Sequence, residues 1–202
     1  MKLYYSQGAC SLSPHIVLHE SGLKFEAVSA PTKTHKLADG TDYYTINPLG
    51  YVPLLELDDG RRLHEGPAIV QYIADQVPAK NLAPANGTFE RYKLQEWLTF
   101  IGTEIHKTFS PLFTPGTPEE TKSASLKQLK SRLAWVDAEL AGKQYLMGDT
   151  FSVADAYLFT TTNWAQYVDL DLAPFANLLA YRARVAGRPA VVAAMKAEGL
   201  LK

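Results

Sequence analysis

A single cysteine, Cys10, among 202 residues leaves no partner for an internal disulfide, and a chain without such bridges is expected in the cytoplasm. No apolar run approaches the length of a membrane span. The first residues also lack the basic and apolar stretches of an export signal. Charge of one sign is missing too: 20 Lys and Arg oppose 21 Asp and Glu, for a formal net charge of −1. That balance offers no electrostatic footprint for nucleic acid or an anionic membrane, so neither is expected as a partner. Repeats and low-complexity tracts are absent, and no metal site is expected. What remains, 47% apolar and 20% charged residues, is ordinary globular protein. Its length fits one large domain or two small ones. The lone thiol must then be buried and inert, or reactive.

The first third reads as α/β. Lys2-Leu3-Tyr4-Tyr5 is a short β-prone run, broken by Gln7-Gly8-Ala9-Cys10. Ser11-Leu12-Ser13-Pro14 opens a helix through Ile16, Val17 and Leu18, with Ser11 the expected N-cap and Gly22 the stop. Phe25 to Val28 follows as a second strand, which makes a right-handed βαβ unit. A loop through Pro31, His35 and Gly40 and a weak helical turn near Asp42 to Ile46 lead on.

The stretch from Asn47 to Tyr72 then carries unusual chemistry. Leu54 to Leu57 and Arg61 to Leu63 flank Asp58-Asp59-Gly60, a strong hairpin signal because Gly accepts the positive φ of such turns. Pro53 lacks an N–H and cannot donate to a ladder, which places Val52 on an edge with its own backbone groups available. Glu65-Gly66-Pro67 opens an apolar helix, with Pro67 in the first turn and the Gly66 and Ala68 amides at the positive helix end. A carboxylate, free amides and an exposed edge within a few residues suit a ligand with an α-amino acid group and a peptide backbone. Residues 1–78 thus form one domain, and 79–87, rich in Pro, Asn and Gly, form a linker.

Residues 88–202 read as helices only. Thr88 to Phe109 carries an apolar stripe at Leu94, Trp97, Leu98, Ile101 and Ile105. Thr117-Pro118-Glu119-Glu120 starts a helix whose stripe runs from Leu126 to Leu140, with Thr117 as cap. Ser152-Val153-Ala154-Asp155 is a capping box; Pro174 opens a helix that Gly187 closes, and Pro189 opens the last.

Two side chains stand out as reactive. Cys10 lies one residue ahead of a helix and just past a strand end, where unsatisfied amides stabilise a thiolate and lower its pKa below the free value of about 8.5. A buried small hydrophobe is the commoner fate of a lone cysteine, but loops after the first strand are where α/β units place ligands. On a helical wheel His106 shares a polar face with Thr99 and Thr103, opposite the apolar stripe. Such a histidine is usually only solvated.

The segments GACSLSPHI, NPLGYVPLLELDDG, EGPAIVQYIAD, EWLTFIGTEIHK, FSVADAYLF and GRPAV, in this order and spacing, resemble the glutathione transferases, most closely the bacterial beta class. The likeness spans the chain from Met1 to Lys202. It implies a thioredoxin-like N-terminal domain, an all-helical C-terminal domain and a homodimer, with glutathione as co-substrate. It further implies a cis bond before Pro53, pairing of the Val52 backbone with the cysteinyl part of glutathione, and capture of the γ-glutamyl group by Glu65 and Gly66. Cys10 and His106 match the class's catalytic pair, and Thr103, Glu104 and Lys107 lie on the helix that reaches the site, partly across the dimer. Thr99 stands where the class usually carries asparagine and His35 where it carries lysine, so an amide and a fixed positive charge are lost at the glycine end. Trp164 fits the wall of the electrophile pocket, with Tyr5 as support or packing. Ser152 and Asp155 match the structural capping box.

The expected activity is conjugation of the glutathione thiolate to small hydrophobic electrophiles. Thiol–disulfide exchange or peroxide reduction through Cys10 is an alternative at the same site. A non-enzymatic ligand- or protein-binding member would be expected to lose Cys10, Glu65 or His106, and all three are present.

Overall fold

The computed structural model describes residues 1–201 and divides into two compact units. The first comprises Met1–Ala83 together with the segment from Gly187 onward; the second is Pro84–Ala186.

The first unit is built on four strands: β1 (Lys2–Tyr5), β2 (Glu26–Ser29), β3 (Leu54–Glu56) and β4 (Arg62–Leu63). Their order is β2-β1-β3-β4, with β2 parallel to β1 and the other neighbours antiparallel. Leu3 faces Leu55 and Tyr4 faces Leu54 in the register, so each pair lies on its own side of the sheet. All four side chains are buried. Helices α1 (Leu12–Ser21) and α2 (Gly66–Gln76) supply Ile16, Val17, Leu18, Ile69, Val70 and Ile73 to the core. Tyr4 and Leu54 instead cluster with Ala30, Tyr43 and Val52. The Asp58-Asp59-Gly60 turn forms as its residues dictate: Gly60 takes φ 83° and donates to the Leu57 carbonyl at 2.9 Å.

The helical unit contains α3 (Phe89–Phe100), a π-helical segment (Ile101–His106), α4 (Lys107–Phe113), α5 (Glu119–Glu139), α6 (Val153–Thr162) and α7 (Ala176–Ala186). Thr88 caps α3 by accepting from the Arg91 amide at 3.2 Å. Thr117 does not cap α5; its hydroxyl donates to the Thr114 carbonyl, and Pro118 takes the cap position. Leu129, Leu133 and Val136 are buried along α5 and Leu140 at its C-cap, as their spacing requires.

The last helix, α8 (Pro189–Ala197), groups with the first unit, whereas the sequence reading places it in the helical domain. The physical reason is a polar clamp on α1. Arg188 grips Glu20 with two hydrogen bonds, of 2.6 and 3.0 Å, and Glu198 meets His15 at 2.8 Å.

Candidate active site

In the first unit the chain leaves β1 at Tyr5 and reaches α1 through a loop that a serine pair closes. The Ser6 amide donates to Ser11 Oγ at 3.1 Å, and that hydroxyl returns a bond to the Ser6 carbonyl at 3.2 Å. Ser11 therefore occupies the N-cap position without capping the helix: its backbone is already helical, at φ −62° and ψ −16°, and its oxygen is committed to the loop. Cys10, partly exposed, sits at the end of this loop and donates its thiol to the Val52 carbonyl at 3.3 Å. Tyr5 packs its ring on His15 at 5.3 Å, and its phenol pKa is raised by burial and then by the nearby Glu198 charge. The phenol thus stays protonated.

The bond between Val52 and Pro53 is cis. Val52 is not on a sheet edge as its sequence context suggests. Pro53 turns the chain so that Val52 precedes the ladder, and β3 is an interior strand flanked by β1 and β4. The approach is held from below, because the Tyr51 carbonyl accepts both the Tyr43 hydroxyl at 2.9 Å and Asn47 Nδ2 at 2.8 Å. The Val52 N–H has no partner among the described residues. Glu65 follows the hairpin at φ 65° and ψ 115°, a conformation that costs a non-glycine residue about 1–3 kcal/mol. Its carboxylate is exposed and neither caps α2 nor joins an ion pair among the described residues. Gly66 starts α2 close to Pro53: a Cβ there would stand 3.8 Å from the proline ring. The first unit therefore gathers Cys10 with Val52, and Gly66 with Pro53. His35, with φ 51°, packs its ring at a tilt on Tyr44, 4.5 Å between centroids.

In the helical unit the π segment changes the geometry that a regular wheel gives. Thr99 and Thr103 remain on an exposed face, with the Thr103 hydroxyl donating to the Thr99 carbonyl at 3.0 Å. His106 does not share that face. The wider π turn takes more residues and so gives less rotation per residue than a regular wheel assumes, and the imidazole lies against Trp164 at 4.8 Å and within 2.7 Å of the Tyr157 hydroxyl. Burial, with the Lys107 charge adding to it, depresses its pKa to about 4. His106 is consequently neutral near pH 7 and carries no positive charge there. It is a hydrogen-bonding group whose Nε2 has no partner among the described residues.

Glu104 pairs with Arg132 of α5 at 2.6 Å, and Lys107 is exposed. Trp164 is buried, its ring edge-on to Phe109 and Phe113. Asp155 is fully buried and accepts from the Leu146 amide (2.9 Å), the Ser152 amide (2.7 Å) and the Ser152 hydroxyl (2.9 Å). Desolvation nevertheless raises its pKa to about 6. Among the described residues no group of three or more His, Cys, Asp or Glu is placed to hold a metal ion, and no helix is long and apolar enough to cross a membrane.

Sequence reasoning missed Tyr157, Arg132, Asn47 and Glu198. Tyr157 and Asn47 stand inside segments that carry the family resemblance, which is the signal that could have singled them out. Arg132 and Glu198 carry none, since their partners are 28 and 183 residues away.

The profile of the glutathione S-transferase N-terminal domain matches residues 8–76, and that of the glutathione S-transferase C-terminal domain matches residues 100–189. The chain is 48% identical over 200 residues to glutathione S-transferase GstA of Escherichia coli O157:H7, covering 99% of this chain and 100% of that protein. Among solved structures, the beta-class glutathione S-transferase of Sphingomonas chungbukensis superposes with a TM-score of 0.96 at 51% identity, over the full length of both chains. A sphingomonad glutathione S-transferase complexed with glutathione superposes at 0.95, also at 51% identity and over the full length of both. With both profiles matched and likeness extending from end to end, the chain belongs to the glutathione S-transferase family.

Proposed function

We propose that this transferase binds glutathione on its first unit and delivers the glutathione thiolate to small hydrophobic electrophiles. The observation that carries the reading is the set of polar groups left unspent around the cis bond. The Val52 N–H is a free donor for the peptide backbone of the cysteinyl residue. Glu65 and the Gly66 amide offer a carboxylate and a helix-end donor to the γ-glutamyl ammonium and carboxylate. Cys10 would stand at the glutathione sulfur and donate a hydrogen bond to the thiolate. His106 would act as a neutral donor through Nε2 in the transfer. Thr99, Thr103, Glu104, Lys107 and His35 carry glycine-end and supporting roles by family likeness, and Trp164 belongs to the electrophile wall. A homodimer is part of the same proposal, supported by the exposure of Phe89 (73%) and Tyr92 (62%) on α3. Cytoplasmic residence is proposed on the lone cysteine. Turnover of a panel of aryl halides, epoxides and peroxides with glutathione tests the activity, and no turnover with any of them would overturn it.

A second reading rests on the partial exposure of the Cys10 thiol. Its thiolate attacks oxidised glutathione, forming a Cys10–glutathione disulfide and releasing one glutathione thiolate. A mass increase reversed by dithiothreitol and absent in Cys10→Ser would establish this exchange; an unmodified wild-type protein would remove it.

A further inference from the structure

Tyr51 is a surface residue, 69% exposed, yet its carbonyl is turned inward. Two buried side chains meet that one oxygen: Tyr43 donates its hydroxyl at 2.9 Å and Asn47 donates Nδ2 at 2.8 Å. Both donors are fixed independently of Tyr51, on the short helical turn Tyr43–Thr45 and just beyond it. The Asn47 amide bonds the Tyr43 carbonyl at 2.8 Å, Asn47 Oδ1 accepts the Leu49 amide at 3.2 Å, and the Tyr43 amide bonds the His35 carbonyl at 2.7 Å. The Tyr43 ring packs on Tyr4 of β1, 5.7 Å between centroids. Burial pushes the Tyr43 phenol up to about 12, so it stays a donor across the working range of pH.

One donor satisfies a carbonyl; two, on its two lone pairs, also fix the direction in which it points. The Tyr51–Val52 peptide is trans and planar, so its N–H points opposite to its carbonyl. With the carbonyl held inward from two sides, the Val52 N–H faces away from Tyr43 and Asn47. Donors on a carbonyl also polarise the amide and strengthen its N–H. We propose that Tyr43 and Asn47 are positioning residues for the Val52 N–H: they fix the plane of the 51–52 peptide and raise the donor strength of the group that would take the cysteinyl backbone. Both act through the peptide and not by contact. The inference rests on the glutathione reading for the identity of the ligand, and on the hydrogen bonds alone for the orientation.

Tyr43→Phe keeps the ring in its packing and removes one donor; Asn47→Ala removes the other. Each variant is read in two ways. Calorimetric titration should show glutathione bound about three- to tenfold more weakly, because the ligand must then order a peptide that the protein no longer holds. In the ligand-free protein the proton and nitrogen resonances of the Val52 amide should move upfield, while those of the Gly66 amide, on a separate element, stay in place. Affinity equal to wild type, or a Val52 amide that does not move, would overturn the proposal and leave the pair as packing. Shifts at both Val52 and Gly66 would overturn it too, since they report a general loosening of the site. If the wild-type protein itself does not bind glutathione, that reading fails; the Val52 and Gly66 resonances then decide the positioning role without a ligand. Should one variant fail to fold, the other is judged by the same measures.

Discussion

The two units spend their polar groups in opposite ways. Around the cis bond the first unit leaves a backbone N–H and a carboxylate without partners and holds Glu65 in a strained conformation. The helical unit ties its polar groups to one another: Asp155 to Leu146 and Ser152, Glu104 to Arg132, His106 to Tyr157. Unspent groups are what a ligand uses, whereas spent groups hold shape. The contrast says that carboxylates of similar chemistry should fail in different assays.

The largest effect is expected at Asp155. Asp155→Ala orphans three buried or partly buried donors and should cost ~3–5 kcal/mol of stability, read from urea unfolding. A loss under 1 kcal/mol would break the contrast at its strongest point.

Acidification sharpens it further. The folded pKa of His106, about 4 against an ordinary 6.5, means that the unfolded chain takes up the proton first. Its contribution is complete above pH 6.5 and is lost as pH falls toward 4, by up to ~3 kcal/mol. Asp155 has the opposite sign: with a folded pKa of about 6 against 3.8, its contribution is complete below 3.8 and declines as pH rises through 6. His106→Phe removes the first effect alone, so its stability relative to wild type should rise by ~2–3 kcal/mol between pH 7 and 4.5. A constant difference across that range would mean that His106 is not held neutral.

Glu65→Gln should weaken glutathione binding by ~1.5–3 kcal/mol in a calorimetric titration. Its unfolding midpoint should stay within ~0.5 kcal/mol of wild type, since no protein group depends on the carboxylate. Unchanged affinity would take Glu65 out of the site. The smallest effect belongs to a helix end: Thr88→Ala should cost ~1 kcal/mol through the lost α3 cap, with no change in glutathione affinity.

Local chemistry was the legible part. Gly60 and Gly22 take the positive φ that their turn and helix end require, and Ser152 with Asp155 forms the capping box that their spacing announces. What stayed hidden depends on partners distant in the chain or on conformations without a residue signature. Ser11 satisfied a loop instead of a helix because Ser6 was in reach. The π segment at Ile101–His106 has no composition that announces it, and a regular wheel therefore misplaces His106. Glu65 at positive φ is invisible in a sequence that elsewhere reserves such angles mostly for glycine. The placement of α8 follows from Arg188 and Glu198 finding Glu20 and His15, and no periodicity encodes that choice.

The order of synthesis gives the discontinuous first unit a temporal consequence. Gly8 leaves the ribosome 190 residues before Glu198, whose carboxylate accepts its amide at 2.9 Å. At translation rates of about 5–20 residues per second that interval is roughly ten to forty seconds. Throughout it the sheet and α1 can assemble, but the thiol loop has only its serine latch. The Cys10 environment is therefore finished late, when α8 docks on α1.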